Sequence, residues 1–146
     1  MALADLCFLD AVEMARLLAR REISARELVA AHLTQIERVN PRVNAIVTLT
    51  AEQAMADAAV ADGLTALGKT GGLLHGLPVA HKDLHETKGV RTTYGSPIFA
   101  DFVPDFDSVA VRRLKAAGAI SLGMTNTPEF GLGSHTYNPV FGTTLN

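Results

Sequence analysis

Residues 77–123 read as strand, helix, strand, and that order constrains the fold more than any other feature. The apolar run Leu77-Pro78-Val79-Ala80 leads into His81-Lys82-Asp83 and predicts a strand entering a core. Ser108 can cap a helix carrying Val109, Val111, Leu114 and Ala117, and Gly118 stands where a C′ glycine would end it. Ala119-Ile120-Ser121-Leu122-Gly123 then reads as a buried strand. The expectation is an α/β fold, with a largely parallel or mixed sheet flanked by helices.

The residues before this unit predict a helical N-terminal segment. Asp10 with Glu13, Ser24 with Glu27, and Thr50 with Gln53 have the spacing of a capping box, in which two side chains satisfy the free amides of a first turn. Val12, Ala15 and Leu18 form a short stripe in the first helix. Leu28, Val29, Leu33 and Ile36 share a face of the second, which Asn40-Pro41 is expected to close. A third, alanine-rich helix is expected from about Ala51 to Leu67, and Ala45-Ile46-Val47-Thr48 has the β-branched content of a short strand. Glycines at 68, 71, 72 and 76 mark a loop, so residues 1–67 are read as the helical segment and 68–146 as the first part of the α/β domain. The stretch from Phe130 to Asn146 lacks periodicity and is predicted to be loop, an interruption rather than a natural domain end.

Composition narrows the function classes. The 146 residues are 48% apolar and carry a formal charge of −2 without blocks of like charge, which leaves no footprint for nucleic acid or an anionic membrane. No stretch approaches the ~20 apolar residues of a membrane span. Asp5 and Asp10 stand where a secretory signal would be basic, and Cys7 is the single cysteine, so a reducing cytoplasm is the expected location.

Lys82 is the candidate with chemistry in it. On a strand it shares a face with Ala80 and Leu84, while His81 and Asp83 point the other way. An amine desolvated on an apolar face loses its preference for the charged form and can serve as a base. The alternative is a lysine reaching to water at a strand end. His75, His81 and His85 lack the spacing of a zinc site, so no metal is expected; His75 and His85 read as solvated loop residues, and His32 as lying on an exposed helix face. The carboxylates of Asp101, Asp105 and Asp107 are explained by the helix that follows them, through capping and its dipole. Gly118 to Gly123 has the outer spacing of a phosphate loop but no lysine after it, and Gly131-Leu132-Gly133-Ser134 is no nucleophile elbow.

Several stretches taken in order resemble the amidase signature family of serine hydrolases. They are Gly76-Leu77-Pro78-Val79-Ala80-His81-Lys82-Asp83, Gly89 through Gly95-Ser96, Asp107-Ser108, Arg113 through Ala119, Leu122 through Asn126, and Asn138-Pro139-Val140-Phe141-Gly142 with Asn146. The resemblance runs from about Ser24 onward and implies the amidase signature fold. It implies a Ser–cis-Ser–Lys triad in which Lys82 is the general base, both serines lying in a glycine-rich loop expected beyond Asn146. It also places Phe130 and Gly131 in the substrate pocket, and calls for no cofactor and no metal.

The implied function is hydrolysis of a carboxylic amide through an acyl-serine intermediate, with this stretch alone expected to be inactive. One alternative is the hydrolase subunit of a tRNA-dependent glutamine amidotransferase, and another a non-catalytic interaction fragment. The expected partners are a small-molecule amide and either a second copy or the part of the protein that completes the fold, with no nucleic acid contact and no membrane.

Overall fold

The structure is a computed structural model that describes residues 3–145. In chain order its elements are α1 (Leu3–Leu6), α2 (Ala11–Ala19), α3 (Ala25–Val43), β1 (Ile46–Leu49), α4 (Ala51–Ala66), β2 (Pro78–Lys82), α5 (Val109–Ala116) and β3 (Ile120–Thr125). A small hairpin follows, β4 (Tyr137–Asn138) and β5 (Gly142–Thr143), in the stretch expected to be loop throughout. Single 3₁₀ turns occupy Pro97–Phe99 and Glu129–Gly131.

Local signals explain the starts of α2 and α3, whereas Ser108, expected to cap α5, stands at its start without a capping bond from its side chain. Asp10 Oδ1 accepts the Glu13 N–H at 2.8 Å and opens α2. Ser24 and Glu27 complete a reciprocal capping box at α3. Thr50 does not cap α4, contrary to the sequence expectation. Its Oγ1 donates instead to the Ser121 carbonyl at 3.3 Å, tying the helix start to β3, and Gln53 pairs with Asp57. Pro41 does not close α3, which runs on to Val43. The stop comes from Asn44 in left-handed backbone, whose N–H donates to the Asn40 carbonyl at 2.7 Å, and from Asn40 Oδ1, which accepts from the Ala45 and Ile46 amides. At α5 the end is as expected: Gly118 at φ 90° and Ala119 return their amides to Lys115 and Leu114 in a Schellman motif.

The core lies between these helices and one face of the sheet. Leu28 and Val29 of α3 are fully enclosed, and so are Ala54 and Ala58 of α4, whose small side chains let the two helices approach closely. Each buried Leu or Val contributes roughly 1.5–3 kcal/mol. In α2 the buried residues are Met14, Leu17 and Leu18, whereas Val12 is exposed, so the stripe is rotated from the expected Val12-Ala15-Leu18.

The main sheet is mixed, in the order β1-β3-β2. β2 runs parallel to β3, from Pro78 opposite Ile120 to Lys82 opposite Thr125, and α5 makes the crossover between them. β1 is antiparallel to β3 with a bulge between Ile46 and Thr48. Gly123, at φ 144°, lies where the bulge presses in, and a Cβ there would collide with the Thr48 carbonyl. Because β1 comes from residues 1–67 and β3 from 68–146, both segments share one hydrophobic core.

The tail is stitched to the end of α3. Asn44 Nδ2 donates to the Phe141 carbonyl at 2.7 Å, Thr144 Oγ1 to the Asn44 carbonyl at 2.8 Å, and the Leu145 N–H to the Val43 carbonyl at 2.8 Å. Among the described residues no helix is long and apolar enough to cross a membrane.

Candidate active site

Parallel pairing brings the carboxyl ends of β2 and β3 side by side, the edge where open α/β sheets commonly bind ligands. Lys82 is the last residue of β2. Its carbonyl accepts the amides of Leu84 and His85 at 2.6 and 2.9 Å, which turns the chain at the strand end, while the Asp83 N–H donates to the Thr125 carbonyl at 2.9 Å. Alternation holds as expected: His81 and Asp83 are buried and Lys82 faces away from them. The dry niche expected around Lys82 is not built by these residues. Its side chain is exposed and its face neighbours Ala80 and Leu84 are only half-buried. Lys82 stands at the very end of an outer strand, where its side chain reaches water, while Leu84 on the same face is partly covered by Gly131.

Asp83 is fully enclosed and both carboxylate oxygens accept from Thr93, from its N–H at 2.9 Å and its Oγ1 at 2.5 Å. Burial pushes the Asp83 carboxyl above its ordinary value against these bonds, which pull it down. Tyr94 follows, its hydroxyl donating to Glu86 Oε1 at 2.6 Å. Burial first, then this bond and the nearby carboxylates, hold the phenol up at about 12.

Phe130 and Gly131 are carried to this corner. The Phe130 N–H donates to the Tyr94 carbonyl at 2.7 Å, and its ring packs against Tyr94 and edge-on against Phe99. Gly131 presses on Leu84, two residues past Lys82, so closely that a Cβ would stand 2.8 Å from Leu84 Cδ1. Beside the Phe130 turn runs an open groove of about 430 Å³, lined by Leu132, Ser134, His135 and Tyr137 among others. The turn is held from behind by two buried amides. Asn138 Nδ2 donates to Asn126 Oδ1 at 2.7 Å and to the Thr127 carbonyl at 2.8 Å, and Asn138 Oδ1 accepts the Val140 and Phe141 amides.

The remaining candidates have other partners. His75 is not a solvated loop residue: Nδ1 accepts the Gly71 N–H at 2.9 Å, and Nε2 lies 2.9 Å from Thr65 Oγ1, pinning the glycine loop to α4. His32 Nδ1 lies 2.8 Å from the Leu28 carbonyl on a half-buried part of α3. His85 is exposed. Asp107 does not cap α5; Lys115 Nζ at 2.8 Å and the Lys88 N–H at 2.8 Å occupy it. Burial alone would raise the Asp107 carboxyl, but these bonds hold it below its ordinary value. Burial, then the charges of Lys115 and His85, depress His81. Among the described residues no three His, Cys, Asp or Glu side chains converge as a metal site would require.

Sequence reasoning missed the Asp83–Thr93 and Asn126–Asn138 pairs. A signal existed for the first in the alternation that set Asp83 on the face opposite Lys82, and in Gly95 after Tyr94, although the buried face proved to be that of Asp83 and not that of Lys82.

The chain is 49% identical over 142 residues to a glutamyl-tRNA(Gln) amidotransferase subunit of Moorella thermoacetica, covering 97% of this chain and 29% of that protein. Among solved structures it resembles fatty acid amide hydrolase, with a TM-score of 0.91 and 25% identity over 97% of this chain and 25% of that one. It also resembles a chain from a vestigial protein complex bearing on the evolutionary origins of an s-triazine catabolic enzyme (TM-score 0.89, 37% identity, 94% of this chain, 30% of that one). The chain thus spans under a third of the length of these relatives. The family model described as Amidase matches residues 27–146, and the chain belongs to the amidase family.

Proposed function

We propose that this chain supplies the general base and part of the substrate pocket of an amidase that hydrolyses a carboxylic amide to acid and amine. Lys82 takes a proton from a serine held in a cis peptide, which in turn takes the proton of the nucleophilic serine. That serine attacks the amide carbonyl, the amine leaves with a proton, and water releases the acid from the acyl-serine. Both serines belong to sequence beyond these residues, as does the cover that would take Lys82 out of water. Backbone amides of the serine-bearing loop would hold the oxyanion, and Phe130 and Gly131 form a wall of the pocket. The observation that carries this reading is the family match across residues 27–146, with Lys82 at the carboxyl end of a parallel strand inside it.

The test is hydrolysis of simple aliphatic and aromatic amides. This chain alone is expected to give no turnover above blank. In a protein extended through the serine loop and the rest of the fold, Lys82→Ala is expected to lower kcat/KM by about three orders of magnitude or more. Retention of a tenth of the activity, or turnover by the short chain that vanishes with Lys82→Ala, would overturn the reading.

The relative from Moorella thermoacetica favours a second reading, in which the parent protein is the hydrolase subunit of a tRNA-dependent glutamine amidotransferase. Glutamine would then be the amide substrate, and the near-neutral charge leaves contact with RNA to another subunit. Glutaminase activity that appears only with added partner subunits would separate this reading from a free-standing amidase. A cytoplasmic location suits either. Ile98, Val103, Phe106 and Val109 are among the exposed apolar side chains that the rest of the protein or a second copy would cover.

A further inference from the structure

Two bulky residues beside the end of β2 hold left-handed backbone, Tyr94 at φ 54° and Phe130 at φ 52°. Side chains of this size adopt that conformation only where their surroundings impose it, and such strain gathers where geometry matters for function. Here the two strained residues face each other. The Phe130 N–H donates to the Tyr94 carbonyl at 2.7 Å, and their rings stack with centroids 6.4 Å apart.

What imposes the conformation on Tyr94 can be traced residue by residue. Thr93, just before it, gives its N–H and Oγ1 to the two oxygens of Asp83. Gly95, just after it, donates its N–H to the same Thr93 Oγ1 at 3.0 Å. Gly95 is also wedged in place, since a Cβ there would lie 3.1 Å from the Thr127 carbonyl and 3.2 Å from Asn138 Cβ. Asp83, Thr92, Thr93 and Ser96 are all fully enclosed, so none of these bonds can be exchanged for water without opening the corner. A carboxylate buried this deeply is costly, and its two oxygens are both committed to one residue. Lys82 and Asp83 are adjacent, yet they serve opposite faces of the strand end.

We propose that Asp83 is a positioning residue: acting through Thr93, its carboxylate fixes the Tyr94–Gly95 turn and with it the placement of Phe130 and Gly131 against the Lys82 strand end. The catalytic meaning of that placement rests on the reading of Lys82 and Phe130 given above; the mechanical linkage does not. Through the chain Asp83, Thr93, Tyr94, Phe130, the pocket wall is held in register with the strand that bears the base.

Amide hydrogen exchange followed by NMR on this chain tests the linkage. Asp83→Asn preserves shape but places a donor where an acceptor is needed, and Thr93→Val deletes the hydroxyl at constant volume. Each is expected to speed exchange at the Phe130 and Gly95 amides about tenfold or more, the two together adding little, because they break one network. Thr93→Ser is expected to restore protection, and amides of β1 and β3 are expected to stay within about twofold of the parent. Unchanged protection at Phe130, uniform acceleration that includes β3, or failure of Thr93→Ser to restore it would overturn the proposal. Exchange at Phe130 requires no catalysis, so loss of the base reading in hydrolysis assays would leave this result intact, and the reverse holds too.

Discussion

Replacing Asn138 by alanine is expected to cost more than any other single truncation in the tail, because four hydrogen bonds converge on this amide. Nδ2 serves Asn126 Oδ1 and the Thr127 carbonyl, both buried, and Oδ1 serves the Val140 and Phe141 amides, which are partly buried. Asn126 Oδ1 keeps the Thr127 N–H as a donor, so it is weakened rather than orphaned. The Thr127 carbonyl loses a partner that water cannot easily replace. Taking about 1–1.5 kcal/mol for each buried bond and 0.5–1 for each partly buried one gives a loss of roughly 3–5 kcal/mol. Urea unfolding reads the total, and exchange at the Val140 and Phe141 amides shows whether the loss begins in the hairpin. Asn138→Asp sharpens the experiment. The new carboxylate faces two acceptor oxygens in a buried site, so its folded pKa lies above its unfolded one. It therefore destabilises most at neutral pH, and stability returns as pH falls and the group is protonated. A loss below about 1 kcal/mol for Asn138→Ala, or no pH dependence for Asn138→Asp, would refute the reasoning.

Three further outcomes follow from local contacts. Ser24→Ala removes the cap that accepts the Glu27 N–H and should cost about 1 kcal/mol by denaturant unfolding, whereas a change near zero would mean that Asp62, which already holds the Ala25 amide at 2.7 Å, carries the cap alone. The Asp107 carboxyl is held below its ordinary value of 3.8, so its bond to Lys115 stabilises fully above that value and fades as pH falls through the lower folded one. The stability gap between the parent chain and Lys115→Met should thus be under about 1 kcal/mol at pH 7, given the exposure of Lys115, and close in strong acid; a gap that widens there would be contrary. Ultraviolet titration should find Tyr94 ionising at about 12, and Glu86→Gln should lower that value; complete ionisation of the tyrosines well below 12 would contradict it.

Signals within a few residues of each other were legible, and partnerships across the fold were not. Asp10, Ser24 and Gly118 announce helix ends because their partners lie three to five positions away. The strand Pro78–Lys82 and its face alternation could be read from residue types alone. Thr50 misled because its hydroxyl had a better acceptor, Ser121, that only the sheet brings near. Pro41 misled because Asn40 and Asn44 set the helix end together, three residues beyond the expected stop. His75 reads as a loop residue until Thr65 and Gly71 are seen on either side of its ring. The position of Lys82 was legible, but its surroundings were not, since burial on an outer strand depends on what packs beyond it.

The stitching between the end of α3 and the tail joins positions as far apart as Asn44 and Thr144, one hundred residues. Contacts such as those between α3 and α4 close short loops and can form early, whereas joining such distant points carries the larger entropic penalty and comes late. Pairing of β1 with β3 joins Ile46 to Thr125 and closes a separation nearly as long, and once it has formed the tail has only the short way from Thr125 back to Asn44 to travel. The paired helices can therefore stand before the sheet, and the stretch carrying Phe130 settles once the sheet has closed the distance.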